Sequence, residues 1–187
     1  MAQGDVRTNM VRGAAGLLAT KGVEGTSFAE VLAATGAPRG SIYHHFPGGK
    51  SELVHAALDL VSSRALGVMD QMRGKPATEV VEGFLGLWRQ LLDVSGLTAG
   101  CAVVAVTVAG ADVDLLEHAG TIFSDWTDHL AGLLVAGGVA EEQARRQAVM
   151  IIAATEGAVA LCRAERSCQP FDVVADGLME MVAAAGS

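Results

Sequence analysis

Residues 26 to 46, TSFAEVLAATGAPRGSIYHHF, constrain the fold more than any other part of the chain. Ser27 and Glu30 have the spacing of a capping box, in which a hydroxyl and a carboxylate each accept a hydrogen bond from an otherwise unpaired backbone N–H group. A helix is therefore predicted to begin at about Phe28. The residues that follow this short helix indicate a tight turn and a second helix.

The turn has residues that helix ends prefer. Gly36 suits the position after the last helical residue, because glycine adopts the left-handed conformation without strain. Pro38 suits the first turn of a new helix, where its missing N–H group would be unpaired in any case. The second helix is predicted to run from Pro38 to about His45, with Ile42 and Phe46 facing inward. This segment is therefore predicted to be a helix-turn-helix.

The outward face of the second helix carries side chains that donate hydrogen bonds to phosphate oxygens and base edges, as DNA-binding proteins require. Arg39 is the predicted contact to a guanine edge, Gly40 is expected to allow close approach, and His45 is expected to pack against the core. The alternative is an ordinary pair of surface helices with a solvated basic residue. The residues predicted to contact DNA are Thr26, Ser27, Arg39, Gly40, Ser41, Tyr43, His44 and Lys50.

The helix-turn-helix and the PGGKSELV that follows it closely resemble the N-terminal DNA-binding domain of TetR-type transcriptional repressors. HHFPGGK (His44 to Lys50) and GCAVVAV (Gly100 to Val106) resemble the LmrA/YxaF-like branch of that family. Ala37 and Pro38 depart from the usual residues around the turn, and an extra glycine precedes Lys50. The resemblance is specific in the N-terminal part of the chain and diffuse beyond it.

The resemblance implies an all-α protein of about nine helices. A three-helix helix-turn-helix DNA-binding domain is expected over residues 1–49, and a helical ligand-binding and dimerisation domain over residues 50–187. The apolar run from Leu97 to Gly110 is ambiguous by itself, because its β-branched residues favour a strand; the resemblance makes it a helix. Beyond the first three, helices are expected at about residues 50–72, 76–94, 97–110, 113–135, 141–166 and 170–184.

The net charge of −8 is unevenly distributed. The first 50 residues carry five basic and three acidic side chains, whereas the remainder carries eight basic and 18 acidic side chains. Because the N-terminal part is slightly basic and the rest of the chain is acidic, only the N-terminal part should attract DNA phosphates. The acidic composition is therefore compatible with double-stranded DNA as a partner.

The last two predicted helices, eight and nine, are apolar on more than one face. Such helices need more partners than one small body provides, so we expect them to pair with their two-fold mates in a homodimer. The resemblance also implies this dimer; the alternative is that both helices complete the core of the monomer. A two-fold dimer would place two recognition helices about 34–36 Å apart on a near-palindromic operator.

Predicted helices five and seven are rich in large apolar side chains and contain both tryptophans of the chain. Such side chains with a few polar groups suit an apolar organic ligand, whereas the alternative, favoured for each tryptophan taken singly, is that it belongs to the plain core. The resemblance implies a small-molecule effector, whose binding would make predicted helix four swing and lower operator affinity. The predicted pocket residues are Phe84, Trp88, Thr107, His118, Ile122, Phe123 and Trp126.

We expect no catalytic residues, metal or cofactor. The chain has no Gly-x-Ser-x-Gly, phosphate loop or His-Glu-x-x-His. Glu52 and His55 form one Glu-x-x-His, but helical di-iron sites need two such pairs. Two alternatives to a ligand-released repressor are a ligand-independent regulator or activator and, more remotely, a helical enzyme.

The three cysteines lack the spacing of a disulfide framework or a zinc site, which favours reduced thiols in a cytoplasmic protein. No basic, apolar leader is evident at the N-terminus. The uncharged run from Val94 to Ala111 approaches transmembrane length, but Gly96 and Gly100 interrupt it. We therefore expect a buried element and no association with a membrane.

Overall fold

The computed structural model describes residues 3–109 and 112–185. In these residues the chain forms nine α-helices and one short 3-10 helix, with no β-strand, so the predicted all-α fold is confirmed. The helices are α1 Gln3–Lys21, α2 Phe28–Thr35, α3 Ser41–His45, α4 Gly49–Met69, α5 Ala77–Ser95, α6 Ala102–Val108, α7 Val113–Ala136, α8 Glu141–Glu165 and α9 Gln169–Ala185, and the 3-10 helix is Asp70–Met72.

Two predicted helix starts are wrong. α3 begins at Ser41, because the Pro38 carbonyl accepts hydrogen bonds from the Ser41 backbone N–H, at 3.0 Å, and from its hydroxyl, at 2.6 Å, within a turn. α6 begins at Ala102, because Gly96 and Leu97 both adopt the left-handed conformation, with φ of 58° and 64°. The predicted end of that helix at Gly110 lies outside the described residues.

Tertiary contacts divide the chain into two compact units. The first unit comprises residues 1–64 and 101–122, and the second comprises residues 65–100 and 123–187. The first unit thus contains α6 as well as the helix-turn-helix, whereas α4 and α7 contribute to both units. The units follow a different division from the predicted domains, whose boundary at residue 50 stays a prediction.

The core of the first unit lies where α1 packs against α2 and α6. Each large apolar side chain buried here contributes about 1.5–3 kcal/mol to folding. The fully buried side chains include Met10, Leu18, Ile42, Phe46 and Leu53. This core fixes the orientation of α3, because two of these residues, Ile42 and Phe46, flank its exposed side chains.

In the second unit, α9 packs against α5 and α8, while residues 137–140 connect α7 to α8. Gly137 in this connection lies against the start of α5, where its carbonyl oxygen accepts a hydrogen bond from the Ala77 N–H at 3.0 Å. A Cβ atom on Gly137 would lie only 2.5 Å from the Ala77 nitrogen, so glycine is required there. The fully buried side chains include Leu92, Leu130, Leu134, Ile151 and Phe171.

α8 is long and apolar enough to cross a membrane, judged by length and composition alone. The relevant window has a mean hydropathy of 1.3, and 44% of it is buried inside the protein. Core helices of globular proteins meet the same test, so this helix is weak evidence for a membrane span.

Candidate nucleic-acid interface

The start of α2 forms half of the predicted capping box. The Ser27 hydroxyl oxygen accepts a hydrogen bond from the Glu30 N–H at 3.2 Å. The Glu30 carboxylate instead pairs with the Lys21 ammonium at 2.6 Å, which ties α2 to the last turn of α1. At the other end, Gly36 is left-handed, with φ of 66°, and its N–H donates to the Leu32 carbonyl, as predicted.

α3 is a single helical turn with one buried and one exposed face. Ile42 is fully buried, as is Phe46 at the end of the helix, so the predicted inward face is confirmed. Tyr43 is 70% exposed, and His44 is also exposed. The residues just before the helix, Arg39 and Gly40, are exposed, while Ser41 and His45 are half-buried.

The ring of Tyr43 packs edge-on against the ring of Phe28, the first residue of α2. Their centroids are 5.5 Å apart and their planes lie at 84°. This contact restrains a side chain that is otherwise largely in solvent. A surface cavity of about 510 Å³ lies between α2 and α3, with Arg39 and Tyr43 among its lining residues. Phe28 thus positions a predicted DNA contact, a role that the spacing of its helix does not reveal.

Arg7 is a candidate contact that the sequence analysis did not identify. Its guanidinium lies over the ring of Phe46, 5.1 Å from the centroid, and the side chain is exposed. This brings a permanent positive charge from α1 to the C-terminal end of α3. The sequence shows only that a basic residue lies near the N-terminus. The place of its side chain over Phe46 depends on how α1 packs.

Two predicted DNA contacts have partners inside the first unit. Thr26 is fully buried and its hydroxyl donates to the Gly22 carbonyl at 2.8 Å, so the prediction that it contacts DNA is corrected. The Lys50 ammonium donates to the Val23 carbonyl at 2.6 Å. An ammonium has three donors, so this bond leaves Lys50 a proposed phosphate contact.

Three of the predicted effector contacts lie in the first unit. Thr107 is exposed, and its hydroxyl donates to the Val104 carbonyl at 2.8 Å. His118 uses both ring nitrogens, because Nδ1 lies 2.5 Å from His55 Nδ1 and Nε2 lies 2.9 Å from an Asp59 carboxylate oxygen. The third residue, Ile122, is buried. The polar groups of Thr107 and His118 thus already have hydrogen-bond or ion-pair partners within the protein.

The other four predicted effector contacts are aromatic residues of the second unit. Phe84 and Trp126 are each 4% exposed, whereas Trp88 and Phe123 are half-buried. The rings of Phe123 and Trp126 form an edge-to-face pair, with centroids 5.7 Å apart. That these residues line a ligand pocket stays a prediction.

Two family models match different parts of the chain. Residues 11–57, which contain the helix-turn-helix, match the bacterial regulatory proteins of the tetR family. Residues 77–177 match the C-terminal domain of LmrA/YxaF-like transcriptional regulators. The chain belongs to the TetR family of bacterial transcriptional regulators.

Relatives of this TetR-family regulator match it over nearly their whole length. The HTH-type transcriptional regulator Rv0196 of Mycobacterium tuberculosis is 32% identical over 90% of this chain and 89% of its own. LmrA of Bacillus subtilis is 26% identical over 91% of this chain and 93% of its own. The crystal structure of a TetR transcriptional regulator from Chloroflexus aurantiacus is similar to this chain, with a TM-score of 0.80. The two sequences are 26% identical, and the match covers 97% of this chain and 96% of the other.

The LmrA/YxaF-like match spans all seven predicted effector contacts and all three cysteines, Cys101, Cys162 and Cys168. Cys162 and Cys168 are free thiols. Burial raises the pKa of the Cys162 thiol above its ordinary value. In the described part of this TetR-family chain, no group of three or more His, Cys, Asp and Glu residues is arranged to hold a metal ion.

Proposed function

We propose that this TetR-family regulator is a cytoplasmic homodimeric repressor that releases a near-palindromic operator when a small, mainly apolar organic molecule binds. The observation that carries the proposal is the single turn of α3, which buries Ile42 and Phe46 and leaves Arg39 and Tyr43 in solvent. No catalytic activity or cofactor is part of the proposal.

The proposed DNA surface combines base contacts with phosphate contacts. The Arg39 guanidinium is suited to a guanine edge, a pairing worth about 1–3 kcal/mol of discrimination. Ser41, Tyr43 and His44 supply further polar groups along α3, whereas Arg7 supplies a charge suited to phosphate. Ser27, the N-cap of α2, and Lys50, in the first turn of α4, complete the proposed phosphate contacts.

Gly40 marks the place where α3 would approach DNA most closely. Its backbone is right-handed helical, with φ of −72°, and a Cβ atom there would meet nothing within 4 Å. Alanine at this position would therefore fit the free protein without strain. A loss of DNA binding by that variant would report a clash with DNA, because the fold itself has room for the methyl group.

The proposed dimer interface is formed by α8 and α9, and it includes the exposed face of α8. Val149 and Met150 are each 49% exposed and Leu161 is 51% exposed, although the opposite face of the helix is buried in the second unit. Exposed apolar surface of this kind marks association sites. Gly157 lies in the same face, and a Cβ atom there would meet nothing within 4 Å, so a second helix could approach closely.

The proposed effector site uses the predicted pocket residues of the second unit, namely Phe84, Trp88, Phe123 and Trp126. The other predicted contacts, Thr107, His118 and Ile122, belong to the first unit and are not part of this proposal. An effector can lower operator affinity only to the extent that it binds the low-affinity conformation more tightly. We propose that it does so from within the LmrA/YxaF-like region.

The DNA surface is tested by selecting operator sequences from a random pool with the full-length protein. Arg39→Ala should reduce discrimination against a single changed base by about tenfold or more. Gly40→Ala should bind more weakly and keep its thermal stability. Arg64→Ala, an exposed α4 arginine of the same unit, is the matched control and should bind normally. Wild-type binding by both test variants would overturn the assignment.

Release is tested by titrating the operator complex with a library of apolar organic compounds. The proposal expects a compound that lowers operator affinity in proportion to its occupancy. A compound that binds tightly and leaves operator affinity unchanged would contradict release. Transcription from a promoter that contains the operator would show whether the regulator represses or activates.

A further inference from the structure

We infer that the surface cavity between α2 and α3 receives the C5-methyl group of a thymine next to the guanine that Arg39 contacts, and that Ala37 sets this preference. The inference rests on the proposed function, because it names one further base of the operator. All residues that line the cavity belong to the first unit.

The cavity, of about 510 Å³, is lined mainly by apolar side chains. Of these, Ile42 is fully buried, and Phe28, Leu32 and Ala37 are half-buried. Among the described lining residues, only Arg39 is charged. The cavity thus combines apolar surface with a guanidinium, and the positive charge favours a polyanion as the occupant.

Two proposed DNA contacts line this same cavity. Arg39 is exposed, and so is most of the Tyr43 side chain. The ring of Tyr43 is held edge-on against the ring of Phe28, with centroids 5.5 Å apart, so both rings contribute apolar surface to the lining. Neighbouring base pairs of DNA are about 3.4 Å apart. A base beside the guanine at Arg39 would therefore lie within reach of the other lining residues.

The apolar lining selects among the edges of the bases. The recognition helix of a helix-turn-helix protein enters the major groove, where thymine presents a C5-methyl group and the other bases present only hydrogen-bond donors and acceptors. A donor or acceptor that is buried against apolar side chains loses its hydrogen bonds to water and gains none in return. Thymine is therefore the base whose edge fits this cavity.

Ala37 determines how much room the methyl group has. It is one of the two residues around the turn that depart from the usual residues of the family. Its side chain is a single methyl group that lines the cavity. Valine would add two carbon atoms to this lining, in the space proposed for the thymine methyl group. The preference for thymine should thus depend on the size of the side chain at this position.

The inference is tested on the operator that the full-length protein selects from a random pool. The guanine in question is the one at which Arg39→Ala loses discrimination. Replacing the adjacent thymine with uracil in both half-sites removes only two methyl groups. Each buried methyl group contributes about fourfold to affinity, so the uracil operator should bind about 15-fold more weakly. The salt dependence of binding should not change, because no phosphate contact is lost.

Two controls accompany this measurement. Uracil in place of a thymine outside the half-sites should leave the affinity unchanged. Ala37→Val should bind the thymine and uracil operators equally well and keep its requirement for guanine. Ala34→Val, at an exposed position of α2 outside the cavity lining, should keep the preference for thymine. The Tm of both variants checks that they fold, and the uracil operator tests the wild-type protein without any substitution.

Three results would overturn the inference: equal affinities of the wild-type protein for the thymine and uracil operators, an operator with no thymine beside that guanine, or a preference that survives Ala37→Val. In each case a selected operator would still uphold the proposed DNA surface. If no sequence is enriched from the pool, the proposed function fails together with the inference.

Discussion

α3 and α8 both leave one face in solvent, but the two faces differ in chemistry. The exposed side of the five-residue α3 carries a tyrosine and a histidine, with an arginine just before it. The exposed side of the 25-residue α8 carries valine, methionine and leucine around a glycine. A polar face is suited to a polyanion, whereas an apolar face is suited to a similar apolar surface. We therefore propose that operator choice and subunit pairing depend on separate helices.

The largest effect is expected from Gly157→Leu. A Cβ atom at this exposed position meets nothing within 4 Å in the free subunit, but a leucine side chain would hold two α8 helices apart, so the protein should become monomeric. Because two tethered recognition helices bind far more tightly than one, operator affinity should fall by about 100-fold or more. Sedimentation and fluorescence anisotropy measure the two effects.

Gly132→Leu on α7 is the control for this substitution, because a Cβ atom there also meets nothing within 4 Å. It should remain dimeric and bind the operator normally. If the Gly157→Leu protein stays dimeric and its operator affinity is unchanged, then α8 is not part of the dimer interface.

A smaller effect is expected from the Phe28 and Tyr43 pair. Edge-to-face aromatic contacts contribute about 0.5–1.5 kcal/mol, so Phe28→Leu should weaken operator binding by about two- to tenfold. The loss should disappear when Tyr43 is already alanine, because the positioned ring is then absent. Operator affinities of the two single variants and the double variant test this coupling. Additive losses would show that Phe28 acts only through stability.

Ser27→Ala tests how much the N-cap of α2 contributes to the stability of the helix-turn-helix. Loss of the bond to the Glu30 N–H should cost about 1 kcal/mol and lower the Tm by about 2–4 °C. Ser63→Ala, an exposed serine whose hydroxyl donates to the Leu60 carbonyl on α4, should change the Tm much less. Equal Tm values for Ser27→Ala and the wild type would contradict the role of the cap.

The smallest effect concerns the buried face of α8. Burial raises the pKa of Cys162, so the folded protein holds this proton more tightly than the unfolded chain does. The stability from this difference is fully present below the ordinary thiol pKa and decreases as the pH rises through the folded value. Thermal unfolding between about pH 7 and pH 10 should show a smaller loss of Tm for Cys162→Ala than for the wild type. Identical pH profiles would refute this.

Local chemistry made the helix-turn-helix predictable. The inward positions of Ile42 and Phe46 and the left-handed Gly36 follow from spacing and turn preferences, and all three are found as predicted. The prediction that Pro38 lies in α3 is wrong. Proline suits the first turn of a helix, but it suits equally well the non-helical turn that comes before the helix. The start of α3 depends on the bonds that Ser41 makes to the Pro38 carbonyl.

Features that depend on packing between distant segments were not predictable. Thr26, a predicted DNA contact, is buried with its hydroxyl bonded to the Gly22 carbonyl, and the position of Arg7 over Phe46 has no signature in the sequence. The second unit shows the same limit more strongly. Its helices follow from apolar periodicity, but the side-chain oxygens of Gln147 and Thr155, which are buried without a hydrogen-bond partner among the described residues, emerge only when neighbouring side chains are in place.

The brevity of α3 limits how much sequence information one subunit can extract from DNA. One turn can direct only a few side chains toward base edges, so each half-site should be defined by few nucleotides, and much of the operator should tolerate substitution. Replacing one or two codons in this turn should then suffice to redirect the protein to other promoters. Paralogues that share the α8 surface but differ in the residues of α3 would regulate different genes. They would still be able to exchange subunits.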